Sequence, residues 1–453
     1  MKSFDLIVIG AGTAGMNIAY RAAGAGWRVA VVEASHIGGT CINVGCIPSK
    51  TLLHSGRAMQ NVRDAGRYGV LAEPPRADWP EMVRRKDRLV GRIRARGYSN
   101  LDDNENITLF EGKAEFTKED IIAVNGDKIT APKIVIASGA RPSVPQISGL
   151  DRIDYLDSTS IMEMQNLPES LLILGGGIIS LEFSQLFARL GVAVTVFQQG
   201  ERLVTPLEPE ISEEIRGILE GEGVVVKTGT EVVEVGPEGK GIYVVDRSGN
   251  MAARYSAEKL LLAVGRTPNS DRLKVDQAGV ETDERGFIKV DSNYKTSTEG
   301  IWAVGDIIGG MMFTHVAWHD GFLLAGYLLK GKEIPSKDRV IPYAIFSEPE
   351  IAGVGMTEEE AVDAGHDLKV QRFDFAHHGR ALAAMKTDGF IKLIIDNQNG
   401  QILGAHIIGP EAGEIIHELV AAIRFGATVD DLQDMMHIHP TLTEIINSAA
   451  LSK

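Results

Sequence analysis

Cysteine is almost missing from this chain. Two residues in 453, Cys41 and Cys46, cannot form a stabilising disulfide framework. Long apolar runs are missing too: none approaches the roughly 20 residues that a membrane helix needs, so no membrane span is expected. Positive charge is in short supply, with 46 Lys and Arg against 61 Asp and Glu and a net charge of −15, which argues against a nucleic-acid partner. The opening MKSFDLIVIGAG lacks the uninterrupted apolar segment and small-residue cleavage site of a signal peptide, and the reading is a cytoplasmic protein. In that compartment a disulfide, where one occurs, is usually transient and catalytic. Both cysteines fall within six positions of each other.

What is present is a unit written twice. FDLIVIGAGTAGMNIAYRAAGAGWRVAVVE from Phe4 and ESLLILGGGIISLEFSQLFARLGVAVTVFQ from Glu169 each read as strand, glycine turn, helix and strand. The interval from Gly10 to Glu33 equals that from Gly175 to Gln198, so the two copies keep one register. Gly10 permits a tight turn, Gly12 lets backbone approach a pyrophosphate, Gly15 allows close helix packing, and Glu33 can accept ribose hydroxyls. This is a dinucleotide site. In the second copy Gly175, Gly176 and Gly177 make the turn, and Ser180 stands at the third-glycine position, where slightly looser helix packing is expected. Gln198 stands where an acid would hold the ribose and repel a 2′-phosphate, and Arg202 follows four residues on. NAD is preferred on this reading, and NADP stays open.

Each unit is followed by a β-rich stretch and a similar signature, KIVIASGARP from Lys133 and LLLAVGRTPN from Leu260. IWAVGDIIGG, Ile301 to Gly310, then reads as an apolar strand that returns the chain to its first nucleotide domain. From about Pro342 strand-like FIKLIID and ILGAHIIG precede amphipathic AGEIIHELVAAIRFG, the mixture of a separate α+β domain.

GGTCINVGCIPSK, Gly38 to Lys50, carries the redox chemistry. Gly45 allows a sharp bend and Pro48 suits a first helical turn, which puts Cys46 at a helix N-terminus where the dipole favours thiolate. A disulfide could close over this bend. Near the C-terminus, HIHPTLTE offers His439 as a proton acceptor beside a thiol and Glu444 to fix its tautomer, with His437 as the competing histidine.

In these motifs, taken in order along nearly the whole chain, the sequence resembles the class I pyridine nucleotide-disulfide oxidoreductases, and among them the dihydrolipoamide dehydrogenases. The resemblance implies an α/β fold with two Rossmann-like nucleotide-binding domains plus a C-terminal α+β dimerisation domain: FAD-binding over 1–145 and 271–341, NAD(P)-binding over 146–270 and interface over 342–453. It implies a homodimer in which Cys41 and Cys46 of one subunit meet His439 and Glu444 of the other. Cys41 matches the thiol that exchanges with substrate, Cys46 the one facing the flavin, and Lys50 with Glu182 an ion pair beside the flavin ring. The FAD set implied is Gly10, Gly12, Gly15, Glu33, Thr40, Lys50, Gly139, Asp306 and the turn Met312, Phe313, Thr314 and His315. The NAD(P) set is Gly175, Gly177, Ile178, Glu182, Gln198 and Gly265.

The activity implied is oxidation of a dihydrolipoyl group, on a lipoylated carrier protein, by the Cys41–Cys46 disulfide through FAD to NAD+. The alternatives are an NAD(P)H-dependent reductase of another disulfide, a quinone or a metal ion, and a low-turnover docking or redox-sensing flavoprotein. Mercuric reductases of the usual type carry a further cysteine pair near the C-terminus, and this chain has no cysteine after Cys46, which weighs against that activity. Val316, Trp318 and the pair His377 and His378 depart from the family pattern. No metal site is expected.

Overall fold

The computed structural model describes residues 1–248, 251–334 and 339–452. Strand β1 (Leu6–Ile9), helix α1 (Thr13–Gly24) and β2 (Val29–Glu33) form the first glycine unit. The chain continues through α2 (Gly39–Asn43), α3 (Cys46–Asp64), α4 (Trp79–Asp102), β3 (Ile107–Glu111) and β4 (Ile134–Ile136). The second unit is β5 (Ser170–Leu174), α5 (Ile178–Arg189) and β6 (Ala193–Phe197), extended by α6 (Pro209–Gly221), β7 (Val225–Lys227) and β8 (Lys259–Leu262). Then β9 (Ile301–Ala303) and α7 (Thr314–Lys330) lead to β10 (Tyr343–Ile345), β11 (Glu350–Gly355), β12 (Leu368–Asp374), β13 (Phe390–Asp396), β14 (Ile402–Gly409) and α8 (Ala412–Phe425).

The first sheet runs β9-β4-β1-β2-β3, all parallel. Its edge strand β9 arrives after the whole second unit, so the chain leaves this sheet and returns to it. The strands are buried on both faces, as a parallel sheet requires: Leu6 and Val8 pack into one apolar cluster and Ile7 and Ile9 into another. The second parallel sheet runs β7-β6-β5-β8. The C-terminal sheet, β10-β11-β14-β13-β12, is antiparallel and is covered by α8. Ala140–Pro142 and Arg266–Pro268, from the two junction signatures, pair antiparallel and tie the two nucleotide regions together.

The two glycine units agree bond for bond at their turns. The N–H of Gly10 donates to Val32 and that of Gly175 to Phe197, both at 2.8 Å. Their φ angles are 106° and 103°, and a Cβ on either would lie 2.4 Å from a carbonyl oxygen, of Ala137 or Ala263. Only glycine fits there. At the third position they differ. A Cβ at Gly15 would lie 2.0 Å from the Gly10 oxygen, whereas Ser180 is fully buried and its hydroxyl donates to the Gly175 oxygen at 2.5 Å. The second unit thus makes room at Ser180 for a β-carbon that the first unit excludes at Gly15, in keeping with the looser packing expected there, and the hydroxyl bridges that wider approach with a hydrogen bond.

Candidate functional site

Cys46 is the first residue of α3 and Cys41 lies in the preceding short helix α2. The bend between them depends on Gly45, where a Cβ would come within 2.9 Å of the Thr40 oxygen. Asn43 holds the loop from inside: its amide donates to the Ile37 and Gly39 carbonyls and accepts from Arg94. Both thiols are free and half-buried. The sulfur of Cys46 is 3.2 Å from the Thr314 hydroxyl oxygen, at the start of α7. The Cys46 thiol is drawn down to about 6, first by its hydrogen bond with Cys41 and then by Thr314 and Lys50, with burial opposing. Cys41 is pushed up, first by the same hydrogen bond and then by burial. Both shifts favour Cys46 over Cys41 as the thiolate of the dithiol form.

Lys50, one turn into α3, places its ammonium 2.9 and 2.8 Å from the two carboxylate oxygens of Glu182 on α5. Glu182 is buried, and it accepts a further hydrogen bond from the backbone N–H of Phe346, whose ring lies under the ammonium at 4.8 Å. The ion pair therefore joins the helix bearing Cys46 to the helix of the second nucleotide unit, and the C-terminal region closes it. Phe346 carries no sequence signal, since its contact spans more than 160 residues. Arg266, next to Gly265, likewise carries no sequence signal. Its largely buried guanidinium donates to the Ala140 carbonyl, and its Nε lies 3.9 Å from Asp306 without a hydrogen-bond partner. Burial raises the Asp306 carboxyl and Arg266 opposes that rise.

Near the C-terminus the two candidate histidines are sorted by their partners. His437 is nearly buried, with Nε2 2.9 Å from Glu418 and Nδ1 turned to the Met435 carbonyl, so both nitrogens are occupied. His439 leaves 79% of its side chain exposed and is bonded only through Nδ1, 2.9 Å from Glu444. The Thr441 N–H and His439 hold the Glu444 carboxyl low. Within one chain the His439–Glu444 pair makes no hydrogen bond to either cysteine. Met436, Ile438 and Phe425 near it in sequence or on α8 are strongly exposed apolar residues, as the face of an oligomer would be.

The residues present fit the two nucleotide groups. Gly12 and Gly177 stand just before helices α1 and α5 and give no side-chain cap, so the first N–H groups of both helices are available to a diphosphate. A cleft of about 540 Å³ opens over Gly12, Thr13 and Gly38, and nothing lies within 4 Å of where a Cβ on Gly177 would stand. Glu33 accepts from Ala11 and Ser35 N–H groups, each at 2.8 Å, and keeps lone pairs for a ribose. Gly139 and Gly265 both take positive φ in the junction turns, and Ile178 opens α5. Of the expected turn Met312–His315, only Met312 and Phe313 precede α7; Thr314 and His315 are its first helical residues, with His315 Nε2 2.7 Å from the Pro342 carbonyl. No helix among the described residues is long and apolar enough to cross a membrane. Glu208, Glu210 and Glu358 come close enough for a shared cation, but Lys392 already occupies their centre.

Comparison with known proteins agrees with this geometry. The profile of the pyridine nucleotide-disulphide oxidoreductases matches residues 4–321, and that of their dimerisation domain matches 341–450. The mercuric reductase of Lysinibacillus sphaericus is 36% identical over 99% of this chain and 82% of its own length. The dihydrolipoyl dehydrogenase of Thermus scotoductus is 37% identical over 99% and 97%. Among solved structures, the Cu(II) complex of the HOCl-induced flavoprotein disulfide reductase RclA from Escherichia coli aligns with a TM-score of 0.91 at 32% identity, covering 99% of each chain. Three activities thus stand at similar distance.

Proposed function

This chain belongs to the pyridine nucleotide-disulphide oxidoreductases, homodimeric flavoenzymes that bind FAD and NAD(P), and on that premise we propose that it works as an NAD(P)H-dependent reductase of disulfides or thiophilic metal ions. The observation that carries this reading is the setting of the cysteine pair: Cys46 opens α3 with the Thr314 hydroxyl 3.2 Å from its sulfur and Lys50 one turn on, an arrangement that favours its thiolate over that of Cys41. A depressed thiolate stabilises the dithiol state, the state a reductase must hold until its acceptor arrives. Near-complete alignment with a flavoprotein disulfide reductase supports the same direction.

Bound FAD supplies the two-electron exchange between nicotinamide and the cysteine pair. The protein supplies the thiol chemistry. Cys41 gives its proton to His439 of the partner subunit and attacks one sulfur of the acceptor disulfide, forming a mixed disulfide and releasing the first thiolate, which takes that proton back. Cys46 thiolate then attacks the Cys41 sulfur, closing the Cys41–Cys46 disulfide and releasing the second sulfur as a thiolate, which takes its proton from solvent. Glu444 keeps His439 oriented and supports its cation. For a metal ion, two adjacent thiol sulfurs form a soft ligand pair, suited to mercury or copper.

A second reading, dihydrolipoyl oxidation with NAD+, is favoured by the His439–Glu444 pair, which offers a base to an incoming dithiol. Steady-state assays on the holoenzyme separate the two. We expect NAD(P)H oxidation driven by lipoamide, other small disulfides, Hg(II) or Cu(II) to exceed dihydrolipoamide oxidation in kcat/KM, and to vanish in Cys41→Ser. Faster oxidation of dihydrolipoamide than reduction of any of these acceptors would decide for the second reading, and slow turnover in every direction would point to a docking or sensing role.

A further inference from the structure

The two glycine units agree in their turns and diverge at the residue that closes the second strand. In the first unit Glu33 is an acceptor twice over, from the N–H groups of Ala11 and Ser35. In the second, Gln198 accepts once, from the Gly176 N–H at 2.9 Å, and donates once, from Nε2 to the carbonyl oxygen of Arg202 at 3.2 Å. That carbonyl also accepts from the Thr205 hydroxyl at 3.1 Å. The loop after β6 is therefore folded with the Arg202 carbonyl turned towards position 198. A carboxylate at 198 would set two acceptors against each other, so this loop requires the amide.

The consequence is electrostatic. An acid here would accept the ribose 2′-hydroxyl and repel a 2′-phosphate; Gln198 removes the repulsion and keeps a lone pair on Oε1. Its donor bond also fixes the backbone of Arg202 beside the ribose position. Other arginines of this region are taken, Arg216 by Glu220 and Arg254 by Glu238, but Arg202 has no ion pair among the described residues. Lys227 stands over the Tyr255 ring. Of the two acids in the loop, Glu208 is buried against Lys392, and Glu201 lies against Gly229, where a Cβ would come within 3.1 Å of its carboxylate.

We propose that the second nucleotide unit takes a 2′-phosphorylated nucleotide, so that NADP(H) binds more tightly than NAD(H), with Arg202 as the phosphate's cation and Gln198 as the residue that holds the Arg202 segment in place. Arginine suits this role because its guanidinium meets a phosphate with two parallel, charge-assisted donors. The inference rests on the nicotinamide-nucleotide binding common to the family and not on which disulfide, thiol or metal ion is the acceptor.

Calorimetric titration of the holoenzyme with NADP+, NAD+, 2′,5′-ADP and 5′-AMP tests it without any thiol substrate. In the wild type NADP+ and 2′,5′-ADP should bind more tightly than NAD+ and 5′-AMP. Arg202→Gln should weaken the two 2′-phosphorylated ligands roughly tenfold, as for one lost charge-assisted contact, and leave the other two within about twofold. Glu201→Gln should tighten only the 2′-phosphorylated pair. Tighter binding of NAD+ than of NADP+ by the wild type, or equal weakening of all four ligands by Arg202→Gln, would overturn the proposal. Either result would leave the reductase reading standing, since NADH can serve it.

Discussion

The Thr314 hydroxyl oxygen lies 3.2 Å from the sulfur of Cys46, although 268 residues separate them in the chain. It is a local stabiliser of thiolate, second to the Cys41 hydrogen bond among the influences that hold Cys46 near 6. Thr314→Val should move the Cys46 thiolate titration up by about one unit, ~1.4 kcal/mol, and Thr314→Ser should restore it. The sign follows from the thiol: its reactive form exists above the pKa and is lost as pH falls through it, so the acid limb of turnover moves to higher pH in Thr314→Val. Thiolate absorbance of the reduced holoenzyme against pH reads this directly. An unshifted titration would show that Cys41 and Lys50 alone set the thiolate.

His439 and His437 should separate in their effects. His439→Gln removes the group that moves the thiol proton and should lower disulfide turnover about 10²- to 10⁴-fold while sparing nucleotide binding. His437 spends both nitrogens on Glu418 and the Met435 carbonyl. His437→Gln should therefore act mainly on thermal stability, with turnover much less affected. Turnover assays and melting curves on both variants check the assignment. Equal kinetic losses would mean that turnover needs both histidines and would overturn the assignment to His439 alone.

Lys392 on β13 is nearly buried and meets Glu208 at 2.8 Å, Glu210 at 2.9 Å and Glu358 at 2.6 Å, joining the second nucleotide unit to the C-terminal sheet. Glu208 is itself almost wholly buried, so removing the ammonium strands a carboxylate in the interior. Lys392→Met should cost on the order of 3–5 kcal/mol, seen as a lowered unfolding midpoint of the holoenzyme. Glu210→Gln, on a side chain 41% exposed, should cost far less. Similar midpoints for Lys392→Met and wild type would mean that the packing around β13 absorbs the loss.

The sequence makes legible what is local. Gly10, Gly175 and the bend at Gly45 announce themselves because a turn, a close backbone approach and a helix start all fall within a few residues. Lys50 and Glu182, 132 residues apart, become a pair only through family resemblance. Thr314 could be placed near the flavin in that way, but its contact with Cys46 depends on how α7 docks, which no short-range pattern encodes. At Ser180 the looser packing follows from the presence of a side chain, but the hydrogen bond to the Gly175 carbonyl depends on the turn of one hydroxyl and is not legible in the sequence. Phe346, Arg266 and the Lys392 cluster lie at junctions between regions, where hydrophobic period and turn chemistry carry no information about partners.

The isolation of His439 from both cysteines within one chain gives the strongest test of a shared site. If each site takes Cys41 and Cys46 from one subunit and His439 with Glu444 from the other, a Cys41→Ser protomer and a His439→Gln protomer are defective in complementary halves. In a mixed dimer one site then carries both lesions and the other carries none. Co-refolding or co-expressing the two variants in equal amounts should yield mixed dimers as about half the population, each with one intact site, and so recover roughly a quarter of wild-type turnover from two nearly inactive parents. Tagging the two protomers differently and purifying the mixed dimer should raise the recovery to about half. A site built within a single subunit would behave otherwise: each protomer would carry its own lesion, and the purified mixed dimer would stay as inactive as its parents.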